Sequence, residues 1–514
     1  MPKKHMNADT PLRPLNLDAG LSGRNNRPPY AIVDIGSNSV RMVVYDQLGR
    51  APLPRYTERS LCRLGDGLAQ TGSISEDGFR RTVEAVRRFR AIADAMGVSR
   101  IDVTATEAIR RAKNGPQLSA AITKGSGLEV RILTGAEEAK FSTLGVISGF
   151  YRPVGLVGDM GGGSLEVCEA LDDQPGDRWT SMPLGALPVE ALLEKGLASA
   201  KAAVDAILKN SLPPALAKPV FYPVGGSWRS FASVHMTVAK APVQVVHGYE
   251  MDAKAARDFA KYLLKLSPAK LAALPGVPER RARTMPAAAL TLDRVLKRLA
   301  PEKVIFSALG LREGWIYSQL PREERYLDPL VEGARLIGIP LARVADFAPA
   351  LIDWTTGLFP GETPADTRLR VAVCALSDLA WRDHPDLRAE DSFRRLLQFP
   401  FIGLTHPERV FLAASIHARY LGKPDAPWLS PAIGLLSPAS RKRAQILGRA
   451  ILLGYRLSGG VAEVLGSSKL SVETDCIRLT VGKAARVPDS EVVAGRLKLL
   501  AQAVGVKRSE VVEV

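Results

Sequence analysis

Two short turns in the sequence carry residue types that bind phosphate. The first lies between two apolar runs and offers the side-chain donors Ser37, Asn38 and Ser39. The second consists of Gly161, Gly162, Gly163 and Ser164. Because glycine has no side chain, successive backbone N–H groups there can converge on one anion, to which the serine hydroxyl adds a further donor. We therefore expect both turns to contact phosphate.

Carboxylates lie next to both turns. Asp34 and Asp159 each precede a turn, where the side chain could hold Mg²⁺ or a water, or could simply cap its own turn. Glu166 lies two residues after Ser164 and therefore shares its side of the predicted strand. A glutamate that faces a phosphate turn needs a cation or a proton nearby, so Glu166 is predicted to bind a metal or a water.

Another pair of carboxylates opens a helix. The segment TGAEEAK follows a strand, and Glu137 and Glu138 fall in the first helical turn. The helix dipole favours acidic residues there in any protein. The same strand–helix junction would also lie at the rim of a cleft between the two turns, where a carboxylate could take a proton from an attacking water. The sequence leaves both explanations open.

Arginines complete the candidate site. A guanidinium group binds phosphate oxygens through two parallel hydrogen bonds. Arg110 lies early in a helix within TEAIRRAKNG, and Arg229 follows a third glycine-rich turn, VGGSWR. Each of the two could instead be a solvated surface residue. A cluster formed by Arg441 and Arg443, continued by Arg449 and Arg456, could line a channel for a polyanion.

The elements that must position these residues follow an α/β pattern. Strands are predicted at 31–34, 40–45, 101–106 and 128–133, and helices at 79–96, 107–113 and 136–146. Strands that alternate with helices indicate a layered α/β architecture. The first two strands form a hairpin around the first turn.

The second turn lies within a near-repeat of the first. VGDMGGGSLEV aligns with VDIGSNSVRM, so that Asp159 matches Asp34 and Glu166 matches Arg41. Both copies are predicted to form a strand, a tight turn and a strand, which indicates two related domains that face each other. A fourth glycine-rich turn, SALGLREG, lies at 307–314.

Beyond residue 320 the sequence becomes mainly helical. Helices are predicted at 330–358, 368–382, 408–420 and 440–456, followed by strand-like pieces and one more helix near 492–503. A charged segment at 321–325 is predicted to be a linker. The predicted organisation is a flexible basic arm at 1–29, α/β domains at 30–150 and 151–320, and a helical domain at 321–514.

The amino-acid composition indicates which kind of partner the protein binds and in which compartment it works. The chain of 514 residues has 69 Lys and Arg against 53 Asp and Glu, and its net charge of +16 favours polyanionic partners. Aromatics are only 6%, and no basic stretch interleaves them, so no nucleic-acid partner is expected. Four scattered cysteines favour a reduced cytoplasm. The sequence shows neither a secretory signal nor an apolar run long enough to span a membrane, so no membrane association is expected.

Six segments together resemble the exopolyphosphatase / guanosine pentaphosphate phosphatase family. They are VDIGSNSVRMVV, ATEAIRRAKNG, ILTGAEEAKF, GDMGGGSLEV, VGGSWRS and ALGLREG, in the family's order. The resemblance implies an α/β fold of two duplicated actin-like (ribonuclease-H-like) domains with the active site in the cleft between them. The segments LSDLAWRDHP and GLTHPERVFLAA resemble the family's helical third domain, which is related to HD phosphohydrolases. None of the six histidines is followed by Asp, so the metal ligands of an HD domain have been lost here.

The resemblance also implies roles for individual residues. Glu138 matches the family's catalytic glutamate, and Asp159 and Glu166 match carboxylates near the metal and the water. The implied metal ligands are thus Asp159, Glu166 and Glu138, with Glu138 and Glu166 catalytic. The implied substrate-binding residues are Ser37, Asn38, Ser39, Arg110, Gly161, Gly162, Gly163, Ser164 and Arg229. Arg229 stands where many members carry a lysine, and no role is carried over to Arg41.

The predicted function is therefore exopolyphosphatase, with Mg²⁺ as cofactor and inorganic polyphosphate as substrate. The nearest alternative is hydrolysis of guanosine pentaphosphate at the same site, and guanosine tetraphosphate is a further candidate ligand. An ATP-dependent kinase of the same fold and a non-catalytic polyanion binder are more remote alternatives. Since longer family members pair through the third domain, the resemblance also implies a homodimer.

Overall fold

The structure of the protein, a computed structural model, describes residues 27–213, 216, 218–277, 279–482 and 490–514. The described chain forms two compact units. The larger contains the residues up to Arg325 together with Ile402–His406, and the smaller contains Tyr326–Phe401 and Pro407–Val514. The predicted basic arm at 1–29 lies outside the described residues as far as residue 26.

The first half of the larger unit is a five-stranded sheet with the order β3-β2-β1-β4-β5. Its strands are β1 (Tyr30–Ile35), β2 (Val40–Tyr45), β3 (Pro54–Ser60), β4 (Arg100–Ala105) and β5 (Val130–Ile132). Its helices are α1 (Leu68–Thr71), α2 (Glu76–Ala95), α3 (Glu107–Arg111), α4 (Gly115–Ser126) and α5 (Gly135–Gly149). β1 to β3 are antiparallel to one another, whereas β4 and β5 run parallel to β1.

The second half is a six-stranded sheet with the order β10-β11-β9-β6-β7-β8. Its strands are β6 (Val154–Met160), β7 (Leu165–Leu171), β8 (Gln174–Met182), β9 (Val220–Val224), β10 (Tyr249–Asp252) and β11 (Lys303–Phe306). The longer helices are α6 (Ala186–Glu194), α7 (Leu197–Ser211), α8 (Gly226–Val238), α9 (Ala253–Leu264), α12 (Met285–Leu299) and α13 (Leu311–Gln319). The shorter ones are α10 (Pro268–Ala272), α11 (Glu279–Ala282) and α14 (Arg322–Arg325).

The two sheets repeat one topology, which confirms the predicted duplicated α/β fold. The run β8-β7-β6-β9-β11 reproduces β3-β2-β1-β4-β5, with the same two antiparallel and two parallel pairings. The register reproduces the sequence alignment as well. Asp34 pairs with Arg41 across the first hairpin, and Asp159 pairs with Glu166 at the same position of the second.

Helix α5 joins the two halves. One apolar cluster contains buried residues of both sheets, among them Ile32 and Val157. α5 packs against α13 and against β7 and β8 of the second half. A Cβ at Gly314 would lie only 1.7 Å from the Phe141 carbonyl oxygen, so the approach of α5 and α13 requires glycine there. The start of α5 is thereby held next to the hairpin of β6 and β7.

The smaller unit is mainly helical, as predicted. Its helices are α15 (Pro329–Gly338), α16 (Phe347–Trp354), α17 (Pro364–Leu376), α18 (Arg388–Gln398), α19 (His406–Arg419), α20 (Ser430–Ile433), α21 (Pro438–Ser458), α22 (Ala462–Gly466) and α23 (Glu491–Val504). Short 3₁₀ helices occupy Ile339–Leu341, Thr356–Leu358 and Pro427–Leu429. Strands β12 (Ser468–Val472), β13 (Cys476–Val481) and β14 (Arg508–Glu513) form a three-stranded sheet.

Several predicted helix boundaries are wrong for local reasons. The helix predicted at 330–358 stops at Gly338 and resumes at Phe347. Pro340 has no N–H with which to continue the hydrogen bonds of the helix. The helix predicted at 368–382 begins earlier, because the Thr363 hydroxyl accepts the N–H of Asp366 as an N-cap. The predicted linker at 321–325 includes the helical turn α14.

The cysteines are buried and make no disulfide. All four lie in the interior of their unit as free thiols. Among the described helices, none combines the length and the apolar character that crossing a bilayer requires.

Candidate active site

The two turns predicted to bind phosphate have the same backbone geometry and face each other. In the first, the Gly36 N–H donates to the Ser39 carbonyl oxygen at 3.1 Å, and in the second, Gly161 donates to Ser164 at 2.9 Å. A Cβ placed on Gly162 would lie 3.0 Å from the Cβ of Ser37. The two hairpin tips therefore approach closely, as the near-repeat in the sequence predicts.

Neighbouring loops use the carbonyl groups of both turns and leave N–H groups without acceptors. The carbonyls of the second turn accept hydrogen bonds of 2.9–3.2 Å from the start of α6, donated by Gly185, Ala186 and Leu187. In the first turn, the Ser37 carbonyl accepts from Gly65 at 2.7 Å. Within the described part of the chain, the N–H groups of Gly162 and Gly163 have no acceptor. Backbone donors exposed in this way bind anions.

The first turn of α5 separates the roles of its two glutamates. The Thr134 hydroxyl accepts the N–H of Glu137 at 3.2 Å, and the Glu137 carboxylate accepts the N–H of Thr134 at 2.9 Å. This reciprocal capping box stabilises the start of the helix. Glu138 takes no part in the capping box and is buried, with 6% of its surface exposed. The helix start therefore accounts for Glu137 but not for Glu138.

Glu138 lies among other charged groups of the candidate site. Arg110 donates from Nη1 both to the Glu138 carboxylate and to the carbonyl oxygen of Leu133. Burial raises the pKa of Glu138 above its usual range. The Arg110 guanidinium opposes this rise, while the negative charges of Asp159 and Glu107 add to it. The structure thus brings Glu138 and Arg110 together and poises the carboxyl group to take up a proton.

The carboxylates of the second hairpin are buried beside Glu138. Burial raises the pKa of Glu166, and the negative charge of Glu138 raises it further. The Ser181 hydroxyl donates to Glu166 Oε1 at 2.8 Å, and the Ser142 hydroxyl donates to Asp159 Oδ2. Burial also raises the pKa of Asp159. These three carboxylates are close enough to disfavour one another's ionised forms.

The aspartate of the first hairpin has a different neighbour. Arg312 Nη1 lies 3.7 Å from Asp34 Oδ2, and its Nε lies 3.8 Å from Glu313 Oε1. Burial raises the pKa of Asp34, and the Arg312 charge opposes that rise. The Arg312 Nε is buried and has no hydrogen-bond partner among the described residues. Arg312 thus keeps one unused buried donor while its charge lies beside the carboxylates of Asp34 and Glu313.

Of the remaining predicted residues, Asn38 and Ser39 lie at the tip of the first hairpin, and Arg229 lies on α8. Asn38 is exposed at the tip of the first hairpin, beside Ser39, which is half-buried. Arg229, in the first turn of α8, donates from Nη1 to the Ala308 carbonyl oxygen at 2.8 Å. Burial lowers the pKa of Arg229 to about 10, so the side chain stays charged at neutral pH. Its charge acts on Asp159 and Asp34, and it makes no hydrogen bond to the turns.

Several residues at the site were not predicted from the sequence to have a role there. Ser142 follows Glu138 by four positions, so helical periodicity could have placed both on one face. Arg312 lies in the fourth glycine-rich turn, SALGLREG, and an arginine next to such a turn could have indicated a phosphate-binding residue. Glu107 also lies at the site, because a Cβ on Gly163 would overlap its carboxylate. No sequence pattern predicts this position.

The carboxylates fit a divalent metal that completes its coordination with other ligands. Within the described residues, no group of three or more His, Cys, Asp or Glu side chains converges on one metal position. Mg²⁺ prefers oxygen ligands, keeps several waters and usually takes only one or two protein carboxylates besides substrate phosphates. Asp159, Glu166 and Glu138 offer that donor chemistry, and a cation would relieve their mutual repulsion.

Comparison with known families covers nearly the whole described chain. The sequence model described as the Ppx/GppA phosphatase family matches residues 44–323, and the model described as exopolyphosphatase, C-terminal, matches 330–512. Exopolyphosphatase 1 of Mycobacterium tuberculosis (strain ATCC 25618 / H37Rv) is 27% identical over 304 residues, which are 57% of this chain and 88% of that protein. Retrograde regulation protein 2 of Saccharomyces cerevisiae is 25% identical over 431 residues, 76% of this chain and 68% of that protein.

Solved structures share the fold of more than half of this chain. The Ppx/GppA family member from Aquifex aeolicus has a TM-score of 0.50 at 24% identity and covers 57% of this chain and 97% of its own. An exopolyphosphatase from Cytophaga hutchinsonii has a TM-score of 0.51 at 21% identity, with coverages of 56% and 97%. Because family models match residues 44–323 and 330–512, the chain belongs to the Ppx/GppA phosphatase family.

Proposed function

We propose that this chain is an exopolyphosphatase, which hydrolyses the terminal phosphoanhydride bond of inorganic polyphosphate. The family is one of phosphatases, and curated relatives bear the name exopolyphosphatase. One observation carries the assignment beyond the family. Two hairpin tips face each other beside Glu138, a buried carboxyl group with a raised pKa, and within the described chain the second tip has N–H donors without acceptors.

The turns bind the terminal phosphate in this proposal. The N–H groups of Gly162 and Gly163 and the side chains of Ser37, Asn38 and Ser39 donate hydrogen bonds to its oxygens. The hydroxyl of Ser164 and the backbone around Gly161 complete the second turn. Arg110 and Arg229 supply positive charge, to which we add the buried Arg312. The net charge of +16 favours the approach of a long polyanion.

Glu138 acts as the general base. Its carboxylate orients a water in line with the terminal phosphorus and accepts a proton as the new P–O bond forms and the bridging P–O bond breaks. A base works best when its pKa lies near the operating pH, which the burial of Glu138 favours. Phosphoryl transfer needs little covalent chemistry from the protein, so positioning and charge stabilisation supply most of the rate.

Mg²⁺ is the cofactor in this proposal, and one or two of the carboxylates of Asp159, Glu166 and Glu138 would hold it together with waters and substrate oxygens. When bound, the ion neutralises negative charge on the phosphate oxygens. Ser142 and Ser181 orient the Asp159 and Glu166 carboxylates through their hydroxyl hydrogen bonds. Among divalent cations, Mg²⁺ best matches carboxylate ligands combined with phosphate oxygens.

Three further proposals rest on the resemblance and the sequence pattern. The catalytic cleft lies between domains at 30–150 and 151–320, and 321–514 forms the third domain. The chain works in the cytoplasm and forms a homodimer. Sedimentation of the full chain at micromolar concentration tests the dimer, since a monomer at all concentrations would contradict it.

Release of orthophosphate from defined substrates tests the activity. The full chain is given long-chain polyphosphate, tripolyphosphate or guanosine pentaphosphate, each with Mg²⁺ or with a chelator. We expect rapid release from long-chain polyphosphate and loss of release with the chelator. A higher kcat/KM on guanosine pentaphosphate would replace polyphosphate by that nucleotide as the substrate. Transfer of phosphate from ATP to an added sugar, without release to water, would overturn the proposal.

A further inference from the structure

The smaller unit contains a cavity of about 480 Å³ that lies outside the catalytic site. Its walls come from α19, α21, the segment between these two helices and Leu499 of α23. On α21, Arg441, Gln445 and Arg449 recur every four residues and therefore form one stripe. On α19, Ala414 and His417 lie one helical turn apart and form the facing wall. A cavity of this volume accommodates a small organic ligand.

The polar part of the cavity lining is basic. Lys423, Arg441 and Arg449 all line it, and no acidic residue occurs among its lining side chains. In the described chain, none of these three cations forms an ion pair with a carboxylate. The cavity is thus a concentration of uncompensated positive charge.

The lack of ion pairs distinguishes these arginines from their neighbour on the same helix. Arg443 pairs with Glu362 and also lies 3.9 Å from Asp366. The cavity arginines are instead anchored by backbone carbonyls, Arg441 Nε to Leu436 at 3.2 Å and Arg449 Nη1 to Leu499 at 3.3 Å. These bonds position the guanidinium groups without neutralising them, which leaves their charge available to a ligand anion.

The rest of the lining is mainly apolar. Leu421, Leu429, Ile433 and Leu499 contribute aliphatic surface. His417 packs edge-on against Trp428, with 5.6 Å between the ring centroids. Burial lowers the pKa of His417 to about 4, and the nearby Glu390 carboxylate offsets only part of that effect. At neutral pH the imidazole therefore adds an uncharged ring to the apolar wall.

We propose that this cavity binds a nucleoside phosphate. The phosphate groups lie at the basic rim formed by Lys423, Arg441 and Arg449, and the base lies against the aliphatic wall. The Gln445 amide, which offers both a donor and an acceptor between the two arginines, contacts the polar edge of the base. This site is separate from the catalytic cleft, and the inference does not depend on the proposed function.

Calorimetric titration of the full chain with ATP tests the site. The titration is performed with a chelator present to prevent hydrolysis, and for either ligand only the binding that the cavity variants weaken is assigned to this cavity. The double variant Arg441→Gln, Arg449→Gln should bind ATP at least about tenfold more weakly, because charge-assisted hydrogen bonds are lost. The matched control is Lys442→Gln, an exposed cation of the same helix that does not line the cavity. It should bind within a factor of two of the unmodified chain.

A space-filling variant and a second ligand make the test independent of charge. Ala414→Phe keeps every cation and fills the cavity, so it should weaken ATP binding by a similar factor while thermal unfolding stays cooperative. Tripolyphosphate, which has no base, should bind at least about tenfold more weakly than ATP. Equal affinity for the two ligands would overturn the nucleoside assignment. No measurable binding at 1 mM ATP, or a loss with Lys442→Gln equal to that of the double variant, would overturn the site.

Discussion

The first hairpin of the larger unit places Asp34 opposite Arg41, whereas the second places Asp159 opposite Glu166 at the equivalent positions. Arg312, from α13 of the second half, also approaches Asp34 of the first hairpin and opposes the rise of its pKa. In the second half, the neighbours of Glu166 include Glu138 and Asp159, which are negative and raise its pKa further. The two hairpins thus share one backbone fold, but cations surround the aspartate of the first and carboxylates surround Glu166 in the second.

This difference in charge indicates that the two hairpins have different roles in substrate binding and catalysis. Arg312 of α13 compensates the aspartate of the first hairpin, and the tip of that hairpin presents donors, so it can bind phosphate as folded. The second half keeps buried carboxylates that are unfavourable until a cation or a proton arrives. Catalysis in the proposed reaction therefore depends on the second hairpin and α5, and substrate binding depends on both tips.

The largest expected effect concerns Glu138, which faces the second hairpin. Glu138→Gln should lower kcat on polyphosphate by roughly 10²–10⁴, because the amide cannot accept the proton of the water. The matched control is Glu137→Gln, since glutamine still fits the capping box of α5. Steady-state phosphate release measures both variants. A Glu138→Gln enzyme within a factor of two of the unmodified enzyme would refute the assignment.

The next effect concerns the space between the two tips. Gly162→Ala places a methyl 3.0 Å from the Cβ of Ser37, so the tips must separate and lose a hydrogen bond to the phosphate. We expect kcat/KM to fall about tenfold, mainly through KM. At Gly161 the same methyl meets only the Ser164 carbonyl oxygen at 3.5 Å, and neither glycine has a positive φ. Gly161→Ala should therefore stay within twofold, and equal losses would contradict facing tips.

The pH profile probes the charge around Glu138. Since the base must be ionised and its pKa is raised, kcat/KM should increase with pH through a value above the roughly 4.3 of an ordinary glutamate. Glu107 contributes to that rise without belonging to the proposed catalytic set. Glu107→Gln should therefore move the acidic limb to lower pH. An unchanged limb would show that another group controls the profile.

The smallest effects are on stability, and they should have opposite signs in the two halves. A carboxyl group with a raised folded-state pKa binds its proton more tightly when folded, so it loses stability as pH rises from its ordinary pKa through the raised one. In metal-free protein at pH 8, Glu166→Gln should therefore raise Tm by about 1–3 °C, an increase that vanishes near pH 4.

Arg312→Gln should have the reverse effect in the first half. It leaves Asp34 and Glu313 buried without their shared cation, so Tm should fall by roughly 5 °C at neutral pH. Scanning calorimetry of both variants measures the contrast. Shifts of the same sign would contradict the difference in charge compensation between the hairpins.

The sequence predicted the features that depend on local pattern. The near-repeat around Asp34 and Asp159 predicted both hairpins and their register, and the segment TGAEEAK predicted that Glu138 lies in the first turn of a helix. Features set by long-range packing were not predictable. The approach of Arg312 to Asp34 and of Ser181 to Glu166 joins segments far apart in the chain. In the smaller unit, Pro340 divided a helix that its apolar content alone predicted as continuous.

The most direct test of the central claim follows the oxygen of the attacking water. The full chain hydrolyses polyphosphate in H₂¹⁸O, and mass spectrometry locates the label in the products of the unmodified enzyme and of Glu138→Gln. We predict that each released orthophosphate carries one ¹⁸O and that Glu138→Gln slows its appearance by roughly 10²–10⁴. Label found in the shortened chain instead of the orthophosphate, or an undiminished rate in Glu138→Gln, would contradict attack on the terminal phosphate by a water that Glu138 activates.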